Sequence, residues 1–504
     1  MPAYRRPIGM TTIRVPPGGL AVLVCALVGA SLGAAQARDS IFTAHGSGPL
    51  YWSIYGWNYD YYVADLDPVT PESVWTKNVG WVEATFASAG YDMVATDGWL
   101  LGPTPVTRDG FMMTYGLWNP LHDWPYWARQ YLAPKQLKLG VYYNPLWITQ
   151  AAYDQDNLIS DTGISVRQIT GKLENFDGTV SDARCPSGSN CFYWVDVNRA
   201  GAREWVQGYV NYFKLAGVAY LRMDFLADFE NAYGDVAYET ALEWIKDAAG
   251  DSIFLSLVVP NCFDGCKREL KYGDMIRVSA DTLDGGWHAL SDRCCDSLWP
   301  CNHAERRRCH SARPVRRHWP QFDNVWDGFT YFSRIAGRNR LILDGDFLRL
   351  ASFVDDTERR SAISLYVMAG SPLAIADYCT DEGCPPVDPG SGLGPYRNSE
   401  VLALNELGLV GHPLDSDGPK GRIAPDSERW VGQLPGGAWV VGLFNRSATK
   451  SRVKRINYRA HLGMRGKAST RDLWAHAELG RLSSYRVTLA PHESRLLKIT
   501  PGPT

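Results

Sequence analysis

Several things are scarce in this chain, and each absence removes a class of function. After residue 37 no stretch is apolar enough to span a bilayer, which takes about 20 consecutive apolar residues. No excess of one charge stands out: 51 Lys and Arg face 54 Asp and Glu, a formal net charge of −3. That excludes a global basic field for nucleic acid. The motifs G-x-S-x-G, H-E-x-x-H and G-x-x-x-x-G-K-[ST] do not occur, which removes the serine-elbow, zincin and P-loop readings. The Gly-rich stretch 390–394 sits among prolines and not between a strand and a helix, so it is no dinucleotide fingerprint. No internal repeat or low-complexity tract stands out. Hydrophobic residues make up 45% and charged residues 21%, as in an ordinary globular protein, so most of the chain is not disordered.

Aromatics are what the chain has in plenty: 19 Trp, 26 Tyr and 16 Phe, 12% of 504 residues. The length allows one barrel of roughly 250–350 residues with an accessory domain. At the N-terminus Arg5, Arg6 and Arg14 precede the apolar run Leu20–Ala35, and Ala35-Gln36-Ala37 fits a cleavage site. This predicts a secretory signal over 1–37 and a secreted or periplasmic mature chain. A membrane anchor would need a longer run.

Of 11 Cys, Cys25 leaves with the signal. The remainder includes the close pairs Cys185/Cys191, Cys262/Cys266 and Cys379/Cys384 and a denser group, Cys294, Cys295, Cys301 and Cys309. In an exported protein such spacing predicts disulfides. A zinc site competes in the dense group, which also holds His303 and His310. Zinc-ribbon spacing is absent and Cys294 and Cys295 are adjacent, so no metal is expected.

Eight short β-rich runs recur between helical patterns: 51–57, 91–96, 138–143, 219–223, 253–259, 275–279, 341–344 and 372–376. Helical stretches intervene at 73–89, 199–216 and 357–369. In the second of these Trp205, Val206, Tyr209, Val210 and Phe213 form one apolar face. Alternation of eight strands with helices predicts an α/β fold, a (β/α)8 TIM barrel. Two connections, 144–198 and 282–340, exceed the usual loop length. The second carries Arg306, Arg307, Arg308, Arg313, Arg316 and Arg317, read as a solvated loop. Beyond Asn405, short strands over 429–434, 438–444, 452–458, 485–490 and 494–499 are punctuated by Gly and Pro and predict a C-terminal antiparallel β-sandwich. The division is thus 1–37 signal, 38–404 catalytic barrel and 405–504 β-sandwich domain.

Asp224 directly follows the fourth strand and Asp281 the sixth. At the C-terminal ends of barrel strands two carboxylates face one cup. Glycoside cleavage needs such a pair, one to attack the anomeric carbon or activate water and one to protonate the leaving oxygen. Either Asp alone could equally cap a helix. Asp97, Tyr142, Asp344 and Asp346 fall at other strand ends, and Trp57, Trp99, Trp147 and Trp287 fall near the mouth by the same count. Carboxylates bond sugar hydroxyls and indoles stack on sugar faces, although about half of four such Trp are expected in the core.

These residues carry a family resemblance. Gly56-Trp57-Asn58, Tyr91…Asp97-Gly98-Trp99, Lys138-Leu-Gly-Val-Tyr142, Leu221-Arg-Met-Asp224, Arg277…Asp281, Leu343-Asp-Gly-Asp346-Phe-Leu, Glu358-Arg359 with Met368-Ala-Gly-Ser-Pro372-Leu, and Val441-Gly-Leu-Phe-Asn-Arg-Ser447 occur in order. Together they resemble the α-galactosidase clan of glycoside hydrolases, most of all the family that includes lysosomal α-galactosidase, plant melibiases and isomaltodextranase. The resemblance implies a retaining mechanism with Asp224 as nucleophile and Asp281 as acid/base. Arg277 would hold Asp281 or the sugar. Arg222, in the place of a family Lys, and Asp346 would bind sugar hydroxyls, with Trp57, Asp97, Trp99 and Tyr142 as further substrate contacts.

Two departures bear on the sugar. Thr96 stands where the family has the first of two Asp, and Val258-Val-Pro-Asn-Cys262 replaces C-E-W-P. The main expectation is a secreted α-galactosidase-like hydrolase. An isomaltodextranase-like enzyme for α-1,6-glucosidic bonds competes with it. Outside the class stands an inactive carbohydrate-binding protein, which would not need the placed Asp pair. The expected partner is an oligosaccharide or polysaccharide, with no nucleic acid, no membrane after signal cleavage and no cofactor.

Overall fold

The eight β-rich runs become eight short strands: Leu50–Ser53, Met93–Ala95, Lys138–Tyr142, Val218–Met223, Phe254–Leu257, Met275–Arg277, Ile342–Asp344 and Leu373–Ile375. Each pairs in parallel with the next in chain order, up to the seventh, and the eighth pairs with the first through Leu50 and Leu373. Leu348, just past the seventh strand, bridges Ile375 and closes the ring. The chain is therefore the predicted (β/α)8 barrel. The computed structural model describes residues 46–64, 70–96, 104–115, 118–174, 180–181, 192–262, 265–282, 286–291, 324–337, 339–417 and 423–502. The predicted signal, Cys185 and Cys191, the dense Cys group and the Arg306–Arg317 run lie outside them. Among the described residues no helix is long and apolar enough to cross a membrane.

The period of two decides which side chains fill the barrel. Tyr51, Met93, Ala95, Tyr220, Phe254, Met275, Ile342 and Ala374 form the interior, joined by Phe347 from the loop after the seventh strand. Trp52, Val94, Leu139, Leu221, Leu255, Ile276, Leu343 and Leu373 face the helices. Gly140 makes room for the Tyr220 ring, which would stand 2.8 Å from a Cβ there. The helix Ala202–Ala216 buries the predicted face of Trp205, Val206, Tyr209, Val210 and Phe213. Each such side chain contributes about 1.5–3 kcal/mol on burial.

Two expectations are corrected. The first strand does not run from 51 to 57; it stops at Ser53, and Tyr55–Val63 is helical. Gly56, in the first turn of that helix, backs onto the eighth strand's end, where a Cβ would meet the Ala376 carbonyl oxygen at 2.1 Å, so only glycine fits there. The long connection 144–198 is not a plain loop. Trp147–Thr149, Thr170–Glu174, Val180–Ser181 and Phe192–Val195 make a four-stranded antiparallel sheet over the mouth end of the third strand.

Past the barrel, six strands pair antiparallel in the order 412–417, 423–433, 439–444, 494–500, 468–472, 477–482. A second sheet pairs Arg452–Asn457 with Ser484–Leu489. Val441, Leu443, Ile456, Leu489, Leu497 and Ile499 fill a shared core, making a sandwich. Strands 412–417 and 468–472 carry no strand signal because polar residues dominate them, and 477–482 carries none because Glu478, Gly480 and Arg481 interrupt its apolar residues. Arg446 fastens the sandwich to the barrel through Ser291 Oγ at 3.0 Å and Asp327 at 2.8 Å, over the Trp326 ring.

Glu400, on the helix Ser399–Glu406, receives both Arg471 donors at 2.6 Å and sits 2.7 Å from His476. The Arg471 guanidinium, more than His476, holds its carboxyl down at about 2, against an ordinary 4.5. A depressed carboxyl contributes stability above its unfolded value and loses it as pH falls through the folded value. The melting temperature should therefore fall between pH 4.5 and about 2, and Glu400→Gln should flatten that part of the Tm–pH curve. An unchanged slope in the variant would remove Glu400 from the acid response.

Candidate active site

Asp224 leaves the fourth strand at its C-terminal end, and Asp281 lies four residues past the end of the sixth. Asp224 Oδ2 accepts from the Tyr142 hydroxyl at 2.9 Å, and Oδ1 accepts from the Phe225 amide at 2.7 Å. Asn144 donates to the Asp224 carbonyl at 2.9 Å, fixing the backbone that carries the acid. The following helix, Leu226–Tyr233, takes Phe225 as its N-cap, so the Asp224 carboxylate is not spent on capping.

Asp281 is the most open of these acids, with 40% of its side chain exposed. Arg277 Nη2 donates to Asp281 Oδ1, and Arg277 Nε donates to the Ser279 carbonyl at 2.9 Å. Burial works against the Arg277 charge, but Asp281 and then Asp346 outweigh it, and Asp224 adds to them, so the guanidinium is held firmly protonated. Both candidate carboxylates thus lie in the field of one arginine.

Arg222 and Asp346 sit deeper. Arg222 donates Nη1 to Asp344 Oδ2 at 2.8 Å and Nη2 to Asp346 Oδ1 at 2.9 Å, and its guanidinium lies 4.5 Å over the Phe347 ring. Asp346 also accepts from the Thr282 amide at 3.0 Å and adopts φ 74°, a strained value for a residue with a Cβ. Burial pushes the Asp346 carboxyl above its ordinary range, against the pull of Arg277 and Arg222. Both residues meet protein partners at the floor of the cup.

Thr96 is buried, and its backbone carbonyl accepts from the Tyr142 amide at 3.1 Å. It therefore lies against the tyrosine that touches Asp224. Asp97 and Trp99 lie outside the described residues. Trp57 is buried and stacked on Tyr61 with ring centroids 3.8 Å apart. Trp147 is core: it packs between Phe192 at 4.2 Å and Phe225 at 5.9 Å, behind Asp224. Trp287, counted near the mouth from the sequence, instead stacks on His492 of the sandwich at 4.1 Å. The half-buried rings of Tyr55 and Tyr59, which the sequence did not single out, cover the barrel interior beside Phe347. They share one face of the helix Tyr55–Val63 at spacing i, i+4, which a strand over 51–57 would not give.

In the stretch after the fifth strand, Asn261 donates to Glu230 Oε2 at 2.7 Å, and Arg268 pairs with Glu230 at 2.7 Å. Burial raises the Glu230 carboxyl. Cys262 and Cys266 are joined, as are Cys379 and Cys384, two of the predicted close pairs. Among the described residues the one cluster of three metal-type donors, Cys262, Cys266 and Glu269, has both sulfurs in that disulfide.

A closed parallel barrel that sets two aspartates at strand ends around one buried arginine is the frame of a glycoside hydrolase. Known proteins agree. Residues 424–499 match the α-galactosidase C-terminal β-sandwich domain family. An isomalto-dextranase from Arthrobacter globiformis is 40% identical over 481 residues, 92% of this chain and 69% of that protein. The structure of isomalto-dextranase from Arthrobacter globiformis T6 complexed with panose superposes with a TM-score of 0.79 at 39% identity, over 93% of this chain and 75% of that one. A β-L-arabinopyranosidase from Geobacillus stearothermophilus shares the fold, with a TM-score of 0.66 at 18% identity, over 92% of this chain and 99% of that one. The chain belongs to the glycoside hydrolase family of the α-galactosidase clan that includes isomaltodextranase.

Proposed function

We propose that this chain is a secreted, retaining α-glucan hydrolase acting on α-1,6-glucosidic bonds, as an isomaltodextranase does. The observation that carries the substrate is the 40% identity to isomalto-dextranase over 92% of this chain; the rice α-galactosidase match reaches 27% over 32% of it. The galactoside expectation therefore gives way to its alternative. Thr96 agrees with that choice. A site built to bond a sugar hydroxyl loses several kcal/mol of selectivity when a charged acceptor becomes a neutral hydroxyl.

Asp224 attacks the anomeric carbon and forms the glycosyl-enzyme, while the Tyr142 hydroxyl holds its second oxygen at 2.9 Å. Asp281, the exposed acid, protonates the leaving glucosyl oxygen and then takes a proton from water. Arg277 orients it. The mature chain begins after residue 37, with a barrel to 404 and the sandwich beyond.

The test is a substrate panel with the anomer of the first product read by NMR. Dextran or an isomalto-oligosaccharide should be turned over at least ~100-fold faster than an aryl α-galactoside. The first product should be the α anomer, since two displacements restore configuration. Preference for the galactoside would overturn the substrate, and a β first product would overturn the retaining mechanism.

A further inference from the structure

Five charged side chains at the fourth, sixth and seventh strand ends form one ladder, buried except at its last member. Asp344 bonds Arg222 at 2.8 Å, Arg222 bonds Asp346 at 2.9 Å, and Asp346 Oδ1 lies 3.8 Å from Arg277 Nη1. Arg277 then donates to Asp281. Only the last member reaches solvent: the Asp344 side chain is 0% exposed and that of Asp281 40%. Asp344 Oδ1 accepts from the Asp346 amide at 2.8 Å, so both its oxygens meet protein donors, and its side chain has no exposed surface.

The other titratable groups facing the ladder are neutral or already placed. Tyr51 and Tyr220, with hydroxyls 3.4 Å apart, act on Arg222 from the first and fourth strands. Tyr366 lies beside Asp346 and Asp344. Burial pushes all three hydroxyls up, so they stay protonated. Asp224 acts on Arg277 from the substrate side.

A general acid must hold a proton, and a bonded guanidinium pulls it toward the ionised form. How strongly Arg277 pulls depends on the negative charge it shares with other groups. Asp346 is that shared charge, and Arg222 competes for it. We propose that Asp344 is a positioning residue for the acid/base step: by neutralising Arg222 it leaves Asp346 to offset Arg277, and so lets Asp281 hold its proton. The proposal rests on the reading of Asp281 as acid/base.

Asp344→Asn keeps the shape and an acceptor for Arg222 but removes one buried negative charge. The pH profiles of kcat and kcat/KM are measured on an isomalto-oligosaccharide, beside a melting curve. The basic limb of kcat/KM should move to lower pH by about one unit, with kcat falling about tenfold and KM changing less than about twofold. A limb that stays within about 0.2 unit while kcat falls would reduce Asp344 to a structural role.

If that variant does not fold, the same change is made on an Arg222→Lys background, since a single ammonium needs only one carboxylate. The limb should again move down relative to Arg222→Lys alone, and an unmoved limb again overturns the proposal. Asp281→Ala separates the two readings. With an aryl α-glucoside whose leaving group needs no proton, this variant should keep kcat/KM within about tenfold and lose its basic limb, while kcat falls because no base then activates water. A limb that persists there refutes the role of Asp281 itself, whereas an unmoved limb in Asp344→Asn alone refutes only the ladder.

Discussion

Asp224→Asn should cut turnover of an activated aryl α-glucoside at least ~10⁴-fold, because a neutral amide cannot form the glycosyl-enzyme and the remaining contacts cannot replace a nucleophile. The fold should survive. The native Oδ1 accepts from the Phe225 amide and Oδ2 from the Tyr142 hydroxyl. An Asn side-chain oxygen can keep one of those bonds, and the residue is not a helix cap whose loss would unravel Leu226–Tyr233. The melting temperature should therefore stay within about 4 °C of the native chain, the shift expected for about 1 kcal/mol or less. Retention of more than about 1% of native turnover, in a preparation free of native enzyme, would mean that another group attacks the sugar.

The second large effect is on stability. Arg222→Met removes the one cation that, among the described residues, lies within 3 Å of both Asp344 and Asp346, whose side chains are 0% and 2% exposed. Two buried carboxylates then face each other across a thioether. Breaking a buried pair from one side costs about 3–5 kcal/mol, because the stranded charge stays out of water. One carboxyl must then take up a proton to fold. A carboxyl whose folded value is raised binds its proton more tightly in the native state, so stability falls as pH rises through that value. Denaturant midpoints should drop at neutral pH and recover part of the loss at pH 5. A variant as stable as the native chain at pH 7 would mean that the floor of the cup does not depend on this ion pair.

The barrel was readable because its signal is local and repeated. Eight short apolar runs separated by helical patterns have few ways to bury their faces, and a closed parallel ring is the one that chain order favours. The face Trp205, Val206, Tyr209, Val210 and Phe213 was readable for the same reason, since helix geometry puts those positions on one side. Helical periodicity could not show where the first strand ends. Tyr51 through Trp57 form one run rich in β-favouring residues, and the crowding that admits only glycine at 56 comes from the Ala376 carbonyl, more than 300 residues away in sequence. The sheet inside 144–198 was hidden because its strands are only two to five residues long.

Trp287 shows the same limit at a single side chain. Counting strands put it near the mouth, yet its ring stacks on His492 from the sandwich. Which surface an indole covers depends on what arrives from elsewhere in the chain. The place of Tyr55 and Tyr59 over the barrel interior exists only once the first strand has given way to a helix.

The sequence by itself determined which chemistry is present: aspartates at the ends of the fourth and sixth strands, arginines beside them, and motifs in an order that names a glycosidase family. Covalent order is enough for that, because it decides which residues follow each strand. Only the tertiary structure decided how those charges are shared. The ladder Asp344–Arg222–Asp346–Arg277–Asp281 joins three strand ends through side-chain bonds. A Coulomb interaction depends on separation and burial, and neither exists until the ring has closed.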